Sequence, residues 1–276
     1  MRKRYEKQYC NINTKITIFN VINNKKAMYK RAIVRIPPNP TNGQHNDIIT
    51  TTEIIKQHNN LVSALTSINV YVTILPSNND IPTSHFIENN VLFVNKKCIL
   101  LNSFNPKENN RDQFLEDYFC ENFDVIGKIQ LPAKVEGGDI LKINDTFYIA
   151  IGGQTNEMGY LALKKIIESE GFNVKKIINN SSLYLKSQIS YIGQNILLVS
   201  DEMSKAPEFS NYRKIILPRE ERFAANTFVN GGFVFMPKSA QKSIQIVKRA
   251  NFLVKEIEIS EFIKQDKGLS SLVIFY

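Results

Sequence analysis

Two carboxylates flank a pair of glycines in the segment VEGGDIL, where Glu136 precedes and Asp139 follows Gly137 and Gly138. A carboxylate at such a turn could grip a cation or move a proton, whereas a glycine-rich loop could instead cradle a phosphate. The phosphate interpretation is disfavoured because a strand-like run, ILKI, follows the loop, whereas a phosphate loop opens a helix. The segment is therefore a tight turn or the seat of a working carboxylate.

Other residues that commonly serve as nucleophile, base or metal ligand are sparse. The three cysteines, Cys10, Cys98 and Cys120, lack metal-ligand spacing, and their odd number argues against a disulfide framework. This usage predicts a reducing, cytoplasmic setting. His45 and His58 fall in an early loop and helix, so only His85, three residues before Glu88, lies near a candidate site residue. We interpret His85 as an ordinary surface or strand-edge residue. No phosphate loop, dinucleotide fingerprint or His/Cys cluster occurs, so neither a metal nor a cofactor is predicted.

The positive charge of the chain is concentrated at its start. Residues 1–46 contain ten lysines and arginines and one acid, Glu6, whereas the remainder is neutral. We therefore predict a basic N-terminal extension over 1–27 and a single domain over 28–276. Such an arm is either a solvated extension or a contact for nucleic acid or another anionic surface. No apolar run is long enough to predict a membrane span.

The elements that must position these residues recur along the chain. Four pairs of short apolar runs are joined by polar or glycine turns and predict β-hairpins: VLFV with CILL, ILKI with FYIAI, ISYI with ILLV, and TFV with FVFM. Their turns recur about every 37 to 50 residues, which indicates repeated units. The run SSLVIF near residue 276 could pair with AIVRI to complete a fifth hairpin and close a ring.

Helical patterns follow the hairpins and lead to a further strand. The segment TTEIIKQHNNLVSALTSI predicts a helix with a threonine cap. NEMGYLALKKIIESEGF predicts another, with Met158, Leu161 and Ile166 at helical spacing. Pro237 is placed at the start of a later helix, and Pro207 makes the helix of the third unit doubtful. The prediction is an α/β ring of five β-β-α-β units around a pseudo-fivefold axis.

A ring of this kind brings the residues that precede each hairpin towards its axis. A central pocket formed by five equivalent corners is then the natural ligand site. The corner residues are Glu88 and Asn89, Asp139, Tyr184 to Ser187, Ala225 and Asn226, and Ser270 and Ser271.

Several motifs, taken together and in this order, are specific: IPTSHFIEN, VEGGDIL, GGQTNEMG, LYLKS, AANTFV and KGLSSLVIF. They resemble the dimethylarginine dimethylaminohydrolases and, more broadly, the guanidine-modifying amidinohydrolase and amidinotransferase superfamily. The resemblance covers roughly residues 28–276 and implies the five-bladed pentein propeller. It also implies a cysteine nucleophile, a histidine general acid and base, and carboxylates that hold the guanidinium.

The chain departs from this pattern at most of the implied positions. Ser271 stands where the family places its cysteine, and Tyr184 stands where it places its histidine. A serine hydroxyl is far less ionised than a thiol at pH 7, and a tyrosine, with a pKa near 10, is a poor base there. At the implied substrate-binding positions, Thr83 and Asn89 replace acids and Gln154 replaces an arginine. The retained residues are Glu88, Asp139, which in the family orients the histidine and contacts the guanidinium, and Asn226.

Three functions remain open on these grounds. The chain is a pseudoenzyme that binds a guanidino or amino-acid-like ligand, or a protein partner, without hydrolysis by a thiol. Alternatively, it is an active hydrolase or transferase of a guanidino or amidino compound that uses Asp139, Glu88 and Ser271. A third possibility, by fold analogy alone, is a non-enzymatic scaffold that associates with the ribosome or nucleic acid through the basic arm.

Overall fold

Short apolar runs separated by turn residues form the strands of the protein. A computed structural model describes residues 29–38, 47–101 and 112–276, so the basic arm predicted over 1–27 lies outside the described residues. The strands of the described part are β1 (Arg31–Arg35), β2 (Tyr71–Leu75), β3 (Val91–Val94), β4 (Lys97–Leu100), β5 (Val125–Lys128), β6 (Ile140–Ile143), β7 (Thr146–Ile151), β8 (Asn173–Ile178), β9 (Ile189–Gly193), β10 (Ile196–Val199), β11 (Arg213–Ile216), β12 (Phe228–Asn230), β13 (Phe233–Pro237), β14 (Leu253–Ile257) and β15 (Ile274–Phe275).

These strands make five separate three-stranded sheets in the described part of the chain, ordered β15-β1-β2, β3-β4-β5, β6-β7-β8, β9-β10-β11 and β12-β13-β14. In every sheet the middle strand pairs antiparallel with one neighbour and parallel with the other. A parallel pair needs a crossover connection, and the segment after each middle strand supplies it. The predicted hairpins and their repetition are confirmed.

The first and last strands share one sheet. Strand β15 pairs antiparallel with β1, with Ala32 opposite Phe275 and Ile33 opposite Ile274. The closure predicted from SSLVIF and AIVRI is therefore confirmed. It gives the middle strand of the first sheet the antiparallel partner that a hairpin supplies in the other four.

The helices cover the sheets and extend to bounds that differ from some predictions. They are α1 (Asp47–Thr66), α2 (Gln113–Asn122), α3 (Glu157–Ser169), α4 (Asp201–Ser204), α5 (Gln241–Arg249) and α6 (Ser260–Ile263). The short α4, followed by a 3-10 turn at Pro207–Phe209, agrees with the doubt raised by the proline. None of the described helices combines the length and the apolar character that crossing a membrane requires.

Two local predictions about helices are wrong. Helix α1 begins at Asp47, before the threonines expected to cap it, because threonine lowers helix propensity by less than about 1 kcal/mol and does not end a helix. Pro237 does not start a helix. It is the last residue of β13, opposite Ile257, and α5 begins at Gln241. A proline is tolerated at a strand end because few ladder hydrogen bonds are lost there.

The predicted helix over NEMGYLALKKIIESEGF is present as α3, and its buried face is centred on residues other than those noted for their helical spacing. Met158 and Leu161 remain 48% and 55% exposed, whereas the helix buries Tyr160, Leu163 and Ile167. Both stripes have helical spacing, so the periodicity alone could not choose between them. The choice follows from Gly159, where an added Cβ would lie 2.0 Å from the backbone oxygen of Lys134, so only glycine allows this approach.

The core consists of apolar clusters between neighbouring sheets and their helices. One cluster joins Val94 and Ile99 of the second sheet to Phe147 and Ile149 of the third, under Leu163 of α3. Similar clusters lie between the other sheets. The sheets thus form a ring whose inner ends meet at a common axis.

Candidate functional site

Five short 3-10 turns lie at the inner ends of the sheets, and we call them axial turns 1 to 5. Each precedes the antiparallel outer strand of its sheet, and neighbouring turns contact one another around the axis. They are axial turn 1 (Ile87–Asn89), axial turn 2 (Gly137–Asp139), axial turn 3 (Leu185–Ser187), axial turn 4 (Arg219–Ala225) and axial turn 5 (Leu269–Leu272).

Glycines allow these turns to approach closely. A Cβ added at Gly137 would lie 2.0 Å from the backbone oxygen of Glu88, and one added at Gly268 would lie 2.3 Å from Cγ of Asn226. At Gly138 it would meet Cγ of Tyr184 at 2.9 Å. Real Cβ contacts are not this short, so the two glycines of VEGGDIL are needed for packing at the axis.

Glu88 of axial turn 1 joins three axial turns. Its Oε1 lies 2.5 Å from Nζ of Lys186, in axial turn 3. Its Oε2 accepts a hydrogen bond of 2.9 Å from Oγ of Ser270, in axial turn 5. Both oxygens of this carboxylate therefore have donors from within the chain.

Asp139 of axial turn 2 is also fully engaged. Its Oδ2 accepts from Oγ1 of Thr155 at 2.9 Å, and its Oδ1 accepts from the backbone N–H of Leu185 at 3.2 Å. The residue is 2% exposed. Burial raises the pKa of this carboxyl above its usual value, and the two hydrogen bonds oppose that rise.

Two asparagines complete the links between axial turns. Oδ1 of Asn89 accepts from the backbone N–H of Gly138 at 3.2 Å, and Oδ1 of Asn226 accepts from the backbone N–H of Ser270 at 2.8 Å. Both side chains are buried. An amide oxygen in these positions satisfies a buried N–H without bringing a charge to the axis.

Tyr184 lies directly before axial turn 3, with Lys267 against its ring. The Nζ atom of Lys267 is 4.3 Å from the centre of the tyrosine ring, which is a cation–π contact. Burial, followed by the charges of Glu136 and Asp139, raises the pKa of Tyr184 above its ordinary value of 10.0. The phenol therefore stays protonated at neutral pH and cannot serve as a general base there.

Ser271 is in axial turn 5 and is 7% exposed. Its backbone N–H donates to the backbone oxygen of Gly268 at 3.2 Å. A serine hydroxyl becomes a nucleophile when an adjacent base accepts its proton. Tyr184, the residue at the implied base position, cannot accept that proton at neutral pH.

His85 is buried, so its predicted surface or strand-edge position is wrong. It is 3% exposed, and its ring centre lies 3.9 Å from that of Phe86 and 5.7 Å from that of Phe262. Burial lowers the pKa of His85 to about 3, with smaller contributions from the nearby charges of His58, Lys267 and Arg35. The imidazole is neutral at pH 7 and packs as part of an aromatic group.

A cleft of about 340 Å³ opens beside axial turns 3, 4 and 5. Asn226 and Gly268 are buried and Lys267 is half-buried, so these residues form the inner part of the cleft, whereas Arg219 and Arg222 of axial turn 4 are exposed and form its mouth. The other lining residues are Leu183, Ser187, Glu220, Phe223, Ile263 and Asp266. The cleft has room for a ligand of amino-acid size.

The structure gathers most of the predicted site residues, but two lie elsewhere. Glu88, Asn89, Asp139, Asn226 and Ser271 belong to the axial turns or directly follow them, as Tyr184 directly precedes one. Thr83 and Gln154 are exposed residues of turns outside this ring. We keep their roles in ligand binding as predictions.

Lys267, near the axis, was missed from the sequence, whereas Glu136 and Lys186 lay in quoted segments but were not predicted as site residues. Glu136 belongs to the quoted VEGGDIL motif, so its nearness to Asp139 could have included it. A lysine within LYLKS or QDKGLSS gives no sequence signal of its own, because lysines are frequent throughout the chain. Within 29–38, 47–101 and 112–276, no group of three His, Cys, Asp or Glu residues could hold a metal ion.

The comparisons with known proteins agree on one family. A family model described as eukaryotic N,N dimethylarginine dimethylhydrolase matches residues 39–221. The N(G),N(G)-dimethylarginine dimethylaminohydrolase of Pseudomonas aeruginosa is 28% identical over 89% of this chain and 98% of its own. The corresponding protein of Streptomyces coelicolor is 23% identical over 71% of this chain and 75% of its own.

Solved structures agree. A cysteine-to-serine mutant of the Pseudomonas aeruginosa protein, complexed with citrulline, has a TM-score of 0.82 at 28% identity and covers 90% of this chain and 100% of its own. A cyanobacterial arginine dihydrolase has a TM-score of 0.74 and covers 90% of this chain and 39% of its own, but its 15% identity shows the fold alone. The architecture is the five-bladed pentein propeller that the motifs implied.

Proposed function

Because the chain belongs to the dimethylarginine dimethylaminohydrolase family, we propose that it is a pseudoenzyme, which binds a small molecule in the cleft beside axial turns 3, 4 and 5 without the thiol-dependent hydrolysis of a guanidine. The observation that carries this proposal is the state of Tyr184, whose pKa is raised by burial and by Glu136 and Asp139. Attack on a guanidinium carbon needs a strong nucleophile and a nearby base. Ser271 is far less ionised than a thiol at neutral pH, and a protonated Tyr184 is not a base, so neither requirement is met.

The carboxylates give further support. A guanidinium is held best by carboxylate oxygens that can accept two parallel N–H donors. Glu88 already accepts from Lys186 and Ser270, and Asp139 already accepts from Thr155 and a backbone N–H. A guanidinium ligand would have to compete with these internal donors.

A ligand-binding function is supported by a relative. The Pseudomonas aeruginosa protein has been solved as a cysteine-to-serine mutant in complex with citrulline. A family member that has lost a cysteine to serine can therefore still hold an amino acid. This chain likewise has a serine, Ser271, at the implied position of the cysteine, and its cleft is lined by Gly268, three residues earlier in the chain. Both features favour retained binding related to arginine metabolism.

The alternative is an active hydrolase or transferase of a guanidino or amidino compound that uses Asp139, Glu88 and Ser271. Two of the curated relatives are named dimethylaminohydrolases, which favours this active enzyme. Thr83, Gln154 and Asn226 would then contact the substrate. Under either function we propose a single domain over 28–276 and a cytoplasmic setting, in line with the free thiols of Cys98 and Cys120.

Two assays on the full chain test the proposal. A thermal-shift series with arginine, methylated arginines, citrulline, glutamate and sugar phosphates should give a stabilising ligand, because a ligand that binds only the folded state raises the melting temperature. Citrulline release from arginine or methylated arginines should stay at the level of a protein-free blank. Turnover above that level would contradict the pseudoenzyme and favour the alternative.

A further inference from the structure

Lys267 is a basic residue of the inner part of the cleft. Its side chain lines the cleft, and its Nζ lies 4.3 Å from the ring centre of Tyr184 and 5.5 Å from that of Phe86. Two aromatic rings thus hold the ammonium group at the inner end of the cleft, as cation–π contacts do for bound cations.

The charges around Lys267 are those expected of a cation-binding position. Glu136, Glu88 and Asp139 all interact electrostatically with it and favour its charged form, although burial lowers its pKa overall. The same group of carboxylates includes both residues that the family resemblance assigns to a guanidinium. The chain therefore places its own cation against the acids that would otherwise attract one from a ligand.

We infer that the ammonium group of Lys267 occupies the cation position of the cleft, so that the inner end selects an uncharged polar group and rejects a guanidinium. This inference rests on the proposed ligand-binding function and specifies its ligand. A guanidinium at this end would face a fixed like charge in a partly buried site, where screening by water is weak. Its carboxylate partners would also be shared with Lys186 and Lys267.

The mouth of the cleft specifies the other end of the ligand. Arg219 and Arg222 line it, and guanidinium side chains bind carboxylates with two parallel hydrogen bonds. Of the two lining acids, Glu220 lies 2.5 Å from Nζ of Lys242, which offsets its charge. The chemical class that fits is a small carboxylic acid whose inner end is neutral, such as a ureido or amide amino acid.

Citrulline and arginine form a matched pair of probes, since they differ chiefly in a neutral ureido against a cationic guanidino group. Calorimetric titration of the full chain should show citrulline binding about tenfold more tightly than arginine or better, a difference of at least about 1.4 kcal/mol. The Lys267→Met variant should bind arginine about tenfold more tightly than the wild type does. Lys267→Arg keeps the charge and should keep the wild-type preference.

Lys264→Met is the matched control, because Lys264 is an exposed lysine on the same segment whose Nζ pairs with Glu261 at 2.6 Å. It should leave both affinities unchanged. Circular dichroism and melting curves establish that each variant is folded. Should Lys267→Met unfold, Lys267→Gln takes its place with the same expectation.

The inference is overturned if wild-type protein binds arginine as tightly as citrulline, if loss of the Lys267 charge leaves the ratio unchanged, or if no variant binds either probe. Release of citrulline from arginine by the wild type would contradict the proposed function, while the affinity ratio would still decide the role of Lys267. If the wild type binds neither probe but Lys267→Met binds arginine, the cation position is supported and the ligand-binding function is not.

Discussion

The five sheets and the five axial turns are the two contrasting regions of this molecule. The sheets repeat one plan, in which apolar residues such as Phe147 and Ile149 are buried by their neighbours, and such contacts have no fixed direction. The axial turns share the 3-10 backbone, yet their polar side chains differ from one turn to the next. Glu88, Asp139 and Asn226 each accept hydrogen bonds from a neighbouring axial turn.

This difference shows where a repeated fold can change its function. A substitution in a sheet alters packing within one unit, whereas one at the axis alters contacts among several units and the ligand cleft together. In this chain the retained acids, Glu88 and Asp139, hold the ring together, so their presence does not by itself indicate catalysis. Substitutions at the axial turns and substitutions elsewhere should therefore differ in their effects.

The largest effect is expected from Gly137→Ala in axial turn 2. The new Cβ would lie 2.0 Å from a backbone oxygen, that of Glu88, and a rigid backbone cannot move aside cheaply. We expect the free energy of unfolding to fall by about 3 kcal/mol or more, as for severe overpacking. Urea denaturation followed by circular dichroism measures this change.

Gly153→Ala is the control, at an exposed glycine just after β7. An added Cβ there meets only the backbone oxygen of Ser181, at 3.9 Å. Its effect should stay within about 0.5 kcal/mol, as for ordinary surface substitutions. Equal losses for the two variants would contradict the special demand of the axis for close approach.

Asp139→Ala should cost about 2–3 kcal/mol, because it leaves the Thr155 hydroxyl and the Leu185 N–H buried without their acceptor. Asp139→Asn should cost clearly less, since an amide oxygen can still accept from Leu185 and no charge is buried. The comparison is made by chemical denaturation at pH 7. Should Asp139→Asn lose as much stability as Asp139→Ala, the charge itself is required and the bridging account is wrong.

His85 makes stability depend on pH. Its pKa falls from 6.5 to about 3 on folding, so below pH 6.5 the unfolded chain binds a proton that the folded chain does not. The stability from this residue is therefore complete above pH 6.5 and is lost as pH falls towards 3, by at most about 1.4 kcal/mol per pH unit. Asp139, whose pKa is raised on folding, has the opposite effect: its contribution to stability is present at low pH and is lost as pH rises.

His85→Phe isolates that contribution because it keeps an aromatic ring beside Phe86 and Phe262 but cannot titrate. The difference in unfolding free energy between wild type and variant should change with pH between 7 and 5. The wild type should lose stability relative to the variant as pH falls. A difference that is constant over this range would show that His85 is charged equally in both states.

The smallest effect is expected from restoring the family's reactive pair. The double variant Ser271→Cys with Tyr184→His should remain close to inactive, because Lys267 and the engaged acids Glu88 and Asp139 are unchanged. Adding Lys267→Met to it should give more citrulline release than the pair alone. Strong activity of the double variant would show that the two substitutions alone account for any loss of hydrolysis.

Much of the ring could be predicted from sequence, because hairpins and apolar runs leave local patterns. The turn between VLFV and CILL is one case: Asn95 and Lys96 have φ values of 50° and 65°, as two-residue hairpin turns require. The face of α3 could not be chosen, because it depends on the approach of Gly159 to Lys134. At the axis the motifs identified Glu88 and Asp139 but not the pairing of these acids with Lys186 and Lys267, because such contacts join residues far apart in the chain.

Citrulline release by the wild-type chain tests the central claim most directly. The protein is incubated with arginine or N(G),N(G)-dimethylarginine, beside the dimethylaminohydrolase of Pseudomonas aeruginosa as a positive control, and citrulline is measured by mass spectrometry. The account predicts that citrulline stays at the protein-free level with this chain while the control releases it. Repeated turnover by this chain, abolished by Ser271→Ala, would contradict it.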